Sequence, residues 1–250
     1  SFATVTPSRT LRLSAIVVIH KGATVELSKV VPWGRSLNEY KEMFSLSDSD
    51  LKKRIIGCGD GPACFNAELS KVANNIISID PIYQFSAKEI RSRINEVYPQ
   101  VMEQVSKNKG DYVWKNIANV EAMGNVRMDA MQAFLNDYEQ GKKTGRYINA
   151  SLPTLPFKNT EFELALCSHY LFLYSEHVSQ EQHIQSMKEL CRVASEVRVY
   201  PLLSIANNQV SPHLKPVISA LKESGFNASL VPVEYEFQKG ATEMLVVKCV

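Results

Sequence analysis

Arg54-Ile55-Ile56-Gly57-Cys58-Gly59-Asp60-Gly61-Pro62 is the stretch on which the fold turns. A short apolar strand runs into three glycines spaced by two. Pro62 then suits the first turn of a helix, read from Ala63 to Val72. Glycines between a strand and a helix permit a tight turn and let backbone come close to a ligand. Asn75 to Asp80 reads as a second short strand that ends in an acid. An acid about 20 residues beyond the glycines is placed to hold a ribose. A carboxylate can accept hydrogen bonds from both vicinal ribose hydroxyls. Together these pieces make one β-α-β unit with a nucleotide-side edge.

The glycine spacing narrows the ligand. Gly57-x-Gly59-x-Gly61 lacks the third glycine of G-x-G-x-x-G, and no Gly-Lys-Ser/Thr follows it. Neither a dinucleotide pyrophosphate nor a nucleoside triphosphate is indicated.

Working outward, the alternation of strand and helix continues with one interruption. Leu37 to Phe44 reads as a helix before the first strand. Residues 83–145 are mostly helical by pattern, with Val126, Met128, Met131, Phe134, Leu135 and Tyr138 at roughly helical spacing. This segment reads as an insertion over one end of the sheet. Strands are then expected at Tyr147–Ala150, Phe162–Cys167 and Glu196–Tyr200, with helices at Ser179–Ala194 and Pro212–Ser224. Ala228–Tyr235 and Glu243–Cys249 alternate like an antiparallel pair. A parallel βαβ series closing on a terminal hairpin is the expected layout. Residues 1–30 read as an N-terminal tail and 31–250 as one domain.

Composition excludes several classes. The chain has 250 residues, 45% hydrophobic and 22% charged, with a formal net charge of +2. Such a balance gives no global pull toward nucleic acid or a membrane surface. No apolar run nears the roughly 18–20 residues that span a bilayer; Ala15 to Ile19 is too short. The five cysteines form no C-x-x-C, which argues against a disulfide framework or a zinc site and suits a reducing cytoplasm.

Gly57-Cys58-Gly59-Asp60-Gly61 resembles the first motif of the class I S-adenosylmethionine-dependent methyltransferases. Ser78-Ile79-Asp80-Pro81 resembles their second motif. Leu155-Pro156-Phe157 through Phe162-Glu163-Leu164, then Leu166-Cys167-Ser168-His169, resemble the passage into and out of their fourth strand. Leu190-Cys191-Arg192-Val193 resembles the approach to the fifth. The whole chain, including Pro32-Trp33-Gly34-Arg35 and Tyr83-Gln84-Phe85, also looks like a group of uncharacterised bacterial methyltransferase-like proteins.

The resemblance implies a Rossmann-like seven-stranded mixed sheet in the order 3-2-1-4-5-7-6, strand 7 antiparallel, with helices on both faces. It implies S-adenosylmethionine as cofactor. Gly57, Gly59, Gly61, Asp60 and the backbone around Cys58 would line its methionine part. Asp80 would hold the ribose, and Pro81-Ile82 would flank the adenine. Ser168 and His169 would face the sulfonium and the acceptor. Two acids common in the family are absent, being Ile55 before the first glycine and Ser151 near the adenine amino group.

Methyl transfer is an in-line displacement with a good neutral leaving group, so the protein mainly supplies proximity and alignment. His169 is the candidate base. Tyr170 and Tyr174 are candidates for an acceptor wall or for core. Arg35 could pair with the cofactor's carboxylate. Tyr112, Trp114 and Arg127 are candidates for a lid. His177, His183 and His213 read as surface or capping residues, and no metal site is expected. A small-molecule acceptor is favoured. A module that binds without turnover, a protein methyltransferase and a nicotinamide oxidoreductase are the rival readings.

Overall fold

A computed structural model of the chain describes residues 26–73 and 75–249. Most of the expected tail, including Arg9, Arg12, Lys21 and the apolar run at 15–19, lies outside the described residues. The packed body includes residues before 31. Leu27–Lys29 form one 3-10 turn, and Val30 is buried with its carbonyl accepting from Arg93 Nε at 2.8 Å.

The strands are β1 (Ile55–Cys58), β2 (Ile76–Ile79), β3 (Tyr147–Ile148), β4 (Phe162–Ser168), β5 (Ala194–Tyr200), β6 (Asn227–Pro232) and β7 (Glu243–Lys248). They form one seven-stranded sheet in the order β3-β2-β1-β4-β5-β7-β6. Strands β1 to β5 pair in parallel, while β7 runs antiparallel to both β5 and β6. This is the order that the resemblance implies.

The helices are α1 (Leu37–Met43), α2 (Phe65–Leu69), α3 (Ala87–Lys107), α4 (Val120–Lys143), α5 (Gln180–Val193) and α6 (Leu214–Glu223). Successive strand residues point to opposite faces, and both faces are covered. Ile56, Ala165 and Val197 pack with Met187 and Leu190 of α5 and Val217 and Leu221 of α6. Ile55, Leu164 and Leu166 pack on the other face with Tyr40 and Met43 of α1, Phe65 of α2 and Val101 of α3. Burial on both faces explains why the central strands read as continuous apolar runs.

Two long helices, α3 and α4, stand between β2 and β3. The buried face of α4 carries Met123, Arg127, Met131, Phe134 and Tyr138. Val126, expected on that stripe, is exposed, and Met128 is only partly buried. At 3.6 residues per turn, position 126 falls about 100° round the helix from the centre of the line through 123, 127 and 131. Arg127 takes the place in the stripe that an apolar residue was expected to fill. Tyr83, Phe134, Tyr138 and Tyr147 form an aromatic cluster that seats α4 beside β3.

Two boundaries differ from expectation in ways that matter to the site. The helix after the glycines begins at Phe65, not Ala63, because the Ala63 N–H donates to the Asp60 carbonyl at 3.2 Å and prolongs the turn. Pro62 therefore stands in the loop. Strand β6 stops at Pro232, which leaves residues 233–242 as a long connection to β7.

Candidate functional site

A cavity of about 220 Å³ opens at the carboxyl ends of β1, β2 and β4, the place where open α/β sheets bind ligands. Its floor is the loop after β1. Gly59 there has φ +71°, in the left-handed region that favours glycine, and a Cβ on it would come within 3.0 Å of the Tyr170 Cβ. Gly57 does not line the cavity. A Cβ at Gly57 would sit 1.9 Å from Asp60 Oδ2, so this glycine leaves room for a buried carboxylate.

Asp60 accepts from Tyr40 Oη at 2.7 Å and from Ser78 Oγ at 2.6 Å. Asn66 Nδ2 in turn donates to Ser78 Oγ at 3.0 Å. Burial pushes the Asp60 carboxyl up to about 7, against the pull of those two hydrogen bonds. The acid expected before the first glycine is missing because Ile55 is core, yet Asp60 places a carboxyl within the same loop.

The folded state holds a proton on Asp60 that the unfolded chain, at its ordinary 3.8, releases. Its contribution to stability is thus fully present below about pH 4 and is lost as pH rises toward about 7. Asp60→Asn removes that loss. Its stability relative to the parent chain should rise steadily across this window in paired thermal melts. A difference that stays constant with pH would place the Asp60 titration in its ordinary range.

Asp80 ends β2 at the other side of the floor. Its Oδ2 accepts from the Gly61 N–H and its Oδ1 from the Ile82 N–H, each at 2.9 Å. These bonds tie the glycine loop to the second strand and leave one lone pair on each oxygen for a diol. Burial raises this carboxyl to about 6, partly offset by the two backbone donors. Pro81 and Ile82 continue the wall, with Ala150 and Ser151 facing them from the segment after β3.

His169 follows β4 in the left-handed region at φ +50°, unusual for a residue with a Cβ. Its N–H donates to the Tyr200 carbonyl at 2.8 Å, and its Nδ1 lies 2.9 Å from Ser168 Oγ. Burial, then the charges of Arg35 and Arg127, hold its pKa well below the usual imidazole range. The ring is therefore neutral at physiological pH. Tyr170 and Tyr174, for which core and cavity roles were both open, line the cavity.

The segment before β1 forms the near wall. The Arg35 carbonyl accepts from the Cys64 N–H at 3.0 Å, and the Leu37 N–H donates to Glu68 Oε2 at 2.8 Å. These contacts bring Trp33 and Arg35 over the glycine loop, and Tyr40 lines the same side. Of the residues expected to contact the cofactor or act as base, only Gly57 stands outside the cavity lining.

The far wall was not legible. Phe237 and Gln238 come from the connection between β6 and β7, and Asn208 from the loop after β5. Gln238 Nε2 donates to Asn208 Oδ1 at 2.9 Å, and the Val113 N–H donates to the Phe237 carbonyl at 2.8 Å. Tyr112 stacks on Phe237 with ring centroids 5.0 Å apart, and Trp114 meets the same ring edge-on. Three loops distant in sequence thus close one wall. Only Tyr112 and Trp114 had drawn notice from the sequence, as aromatics in a polar segment.

Two further expectations fall differently. Arg127 is fully buried and does not line the cavity; its Nη1 lies 2.6 and 2.7 Å from the two Glu39 oxygens. His183, expected at the surface or as a cap, is fully buried against Phe172 and His213 because α5 turns that face onto the core. Among the described residues no His, Cys, Asp or Glu side chains group as a metal ion would need. No helix among them is long and apolar enough to cross a membrane.

The strand order, with a glycine turn after the first strand and an acid ending the second, makes this a protein of the class I methyltransferase fold. No family model matches the chain. It is 30% identical over 226 residues to the uncharacterized protein MJ0045 of Methanocaldococcus jannaschii, an overlap of 90% of this chain and 98% of that one. The chain belongs to the family of that archaeal protein. Among solved structures it is similar to the magnesium protoporphyrin IX methyltransferase of Synechocystis PCC 6803 with bound SAM, at TM-score 0.45 and 10% identity over 85% of this chain and 77% of that one. It is also similar to the N-methyltransferase NodS of Bradyrhizobium japonicum WM9, at TM-score 0.44 and 11% identity over 84% and 92%. Likeness at this level adds nothing to the strand order already described.

Proposed function

We propose that this protein binds S-adenosylmethionine over the carboxyl ends of β1 and β2 and transfers its methyl group to a small molecule. The observation that carries the reading is one cavity lined both by the glycine loop, Asp80 and Ile82 and by the candidate base His169 with Tyr174 and Phe237.

The residues present fit the cofactor. Asp80 keeps an acceptor site on each oxygen for a ribose. The glycine loop presents backbone where a Cβ on Gly59 would crowd Tyr170. Cys58, Asp60, Gly61 and Ser168 lie along the same floor, and Pro81, Ile82 and Ser151 bound the end where an adenine would stack. When bound, the cofactor supplies a methyl group on a positively charged sulfur. Asp60 at about 7 and Asp80 at about 6 favour positive charge over the loop when ionised.

His169 is neutral in the folded protein, so its unprotonated ring nitrogen can accept a proton from a bound acceptor or orient that acceptor by hydrogen bonding. The Ser168 hydroxyl and the Tyr200 carbonyl fix its ring and backbone. Aromatic and loop residues enclose the acceptor end, which suits a small molecule better than a protein groove. The five free cysteines suit a reducing, cytoplasmic setting.

Titration calorimetry with S-adenosylhomocysteine and, separately, NADH tests the reading. The former should bind and the latter should not. For His169→Ala we expect unchanged S-adenosylhomocysteine affinity and, with an accepted substrate, a fall in turnover of about 10²–10⁴-fold if the ring takes a proton. Turnover kept within a few fold would assign His169 to orientation alone.

A further inference from the structure

The floor of the cavity holds two carboxylates that no cation of the protein balances. Asp60 and Asp80 both line it. Among the described residues neither belongs to an ion pair. The Asp60 carboxyl is buried, and its hydrogen-bond donors are the hydroxyls of Tyr40 and Ser78. Asp80 accepts from two backbone N–H groups. The other ionisable groups that face Asp60 are Asp80 at the end of β2, the Cys58 thiol of β1, the Cys167 thiol of β4 and the Tyr83 phenol beyond β2. All of these are neutral or negative, so none supplies a positive charge. A buried carboxylate with neutral donors alone is costly to ionise, and a cation arriving in the cavity relieves that cost.

The position of Asp60 is built into the fold. Its side chain occupies the space that Gly57 leaves open. Tyr40 of α1 holds one oxygen at 2.7 Å, and Ser78 of β2 holds the other at 2.6 Å. Ser78 Oγ accepts in turn from Asn66 of α2, and Asn66 Oδ1 accepts from Arg146 Nη1 at 2.6 Å. Arg146 is the cation of this network, and its charge is spent on Asp137 of α4, at 2.6 Å. Each Asp60 oxygen already accepts a hydrogen bond from the protein. What Asp60 adds to the cavity is a negative charge.

We propose that Asp60 selects the methyl-bearing cofactor over its demethylated product by charge, its carboxylate acting as counter-ion to the sulfonium and taking up one proton from solvent when the sulfur is neutral. This rests on the methyltransferase reading given above. The two forms of the cofactor differ by one methyl group and one positive charge, so contacts to ribose and adenine cannot tell them apart. A buried charge can, and in a dry site it acts without direct contact. Burial pushes the Asp60 carboxyl up to about 7, so the proton is exchanged in the neutral range. A bound cation lowers that value, so binding of the charged form releases a proton and its preference grows as pH rises. After transfer Asp60 regains the proton, and the product is held less tightly than the charged form.

The test is calorimetry on the full chain with S-adenosylmethionine and S-adenosylhomocysteine at about pH 5.5 and about pH 8, on either side of the Asp60 titration. The ratio of the two affinities in the parent chain is divided by the ratio in Asp60→Asn at the same pH, which removes the ligands' own ionisations. The amide fits, because the Tyr40 and Ser78 hydroxyls can accept as well as donate. The quotient should favour S-adenosylmethionine by at least roughly tenfold at about pH 8 and fall to within about twofold of unity at about pH 5.5. Sinefungin, which carries an ammonium in place of the sulfonium, should follow S-adenosylmethionine, which separates charge from the bulk of the methyl group. Ser78→Ala removes a hydrogen bond that favours the ionised form, so the pH at which the preference appears should move up. A merely structural role for Asp60 would not move it, and this variant keeps the test available should Asp60→Asn fail to fold. A quotient near unity at about pH 8, or the same quotient at both pH values, would overturn the proposal. So would sinefungin following S-adenosylhomocysteine, or an unmoved preference in Ser78→Ala. Failure of the parent chain to bind S-adenosylhomocysteine at either pH counts against the methyltransferase reading and is distinct from a lost charge preference.

Discussion

Replacing Arg127 by methionine is expected to lower the stability of the fold by about 3–5 kcal/mol in urea unfolding, the usual cost of removing one partner from a buried ion pair. Methionine nearly fills the volume, so the loss comes from charge and not from a cavity. Arg127 is fully buried, and Glu39 is nearly so. Burial works against the Arg127 charge, yet Glu39 holds its pKa above the ordinary value. The pair joins three parts of the chain, since Glu39 caps α1 through Ser36, Arg127 belongs to α4, and Tyr235 enters from the connection between β6 and β7. Taking Arg127 away leaves a buried carboxylate with only neutral donors in contact. An opposing effect exists, because Arg35 would be freed of a like charge and could approach Glu39. Arg127 should dominate, as its nitrogen lies 2.6 Å from Glu39 Oε1 and Arg35 makes no such contact. The double variant Arg127→Met, Glu39→Gln should recover part of the loss by removing the orphaned charge. A loss below about 1 kcal/mol in the single variant would mean that Arg35 takes over the pair.

The second large effect is on binding. Asp80→Ala should weaken S-adenosylhomocysteine binding by about 1–3 kcal/mol, or roughly 5- to 150-fold, the cost of lost hydrogen bonds to a charged acceptor. Part of this would be indirect, because the Gly61 and Ile82 N–H groups lose their shared acceptor and the glycine loop loosens. Asp80→Asn helps to separate the two contributions. The amide keeps one acceptor oxygen for the loop but turns the other into a donor, so it should retain most of the thermal stability and still lose affinity. Calorimetry and a thermal melt on both variants make the comparison. Affinity unchanged in both would remove Asp80 from the cofactor site.

Much of the floor of the site was legible because it is local. The glycine loop, Asp80 and the exit of β4 each lie at the end of a strand, and strand ends are marked by β-branched and apolar runs meeting glycine, proline or an acid. Gly57 shows the limit of that reading. The motif places a glycine there, but only the packed structure reveals that its missing side chain accommodates Asp60 and not a ligand. Val126 shows a similar limit, since an apolar residue at nearly the right spacing still faced solvent once the phase of α4 was set by its neighbours.

The sequence by itself determined the α/β class, the order in which strands and helices follow, the insertion between the second and third strands, and the two acids of the floor. These depend on short-range rules of periodicity, turn chemistry and parallel-strand burial. Only the tertiary structure decided the far wall of the cavity. Phe237, Asn208 and Tyr112 meet there from three loops, and Arg127 and Glu39 pair across 88 positions of sequence. No local pattern encodes such contacts, because loop closure over a pocket is set by how distant elements pack. The charge of Arg35 has meaning only when its neighbours are known. On the sequence it is one basic residue among 28, and in the folded protein it is a partly buried cation lining the cavity, its buried Nε without a hydrogen-bond partner among the described residues.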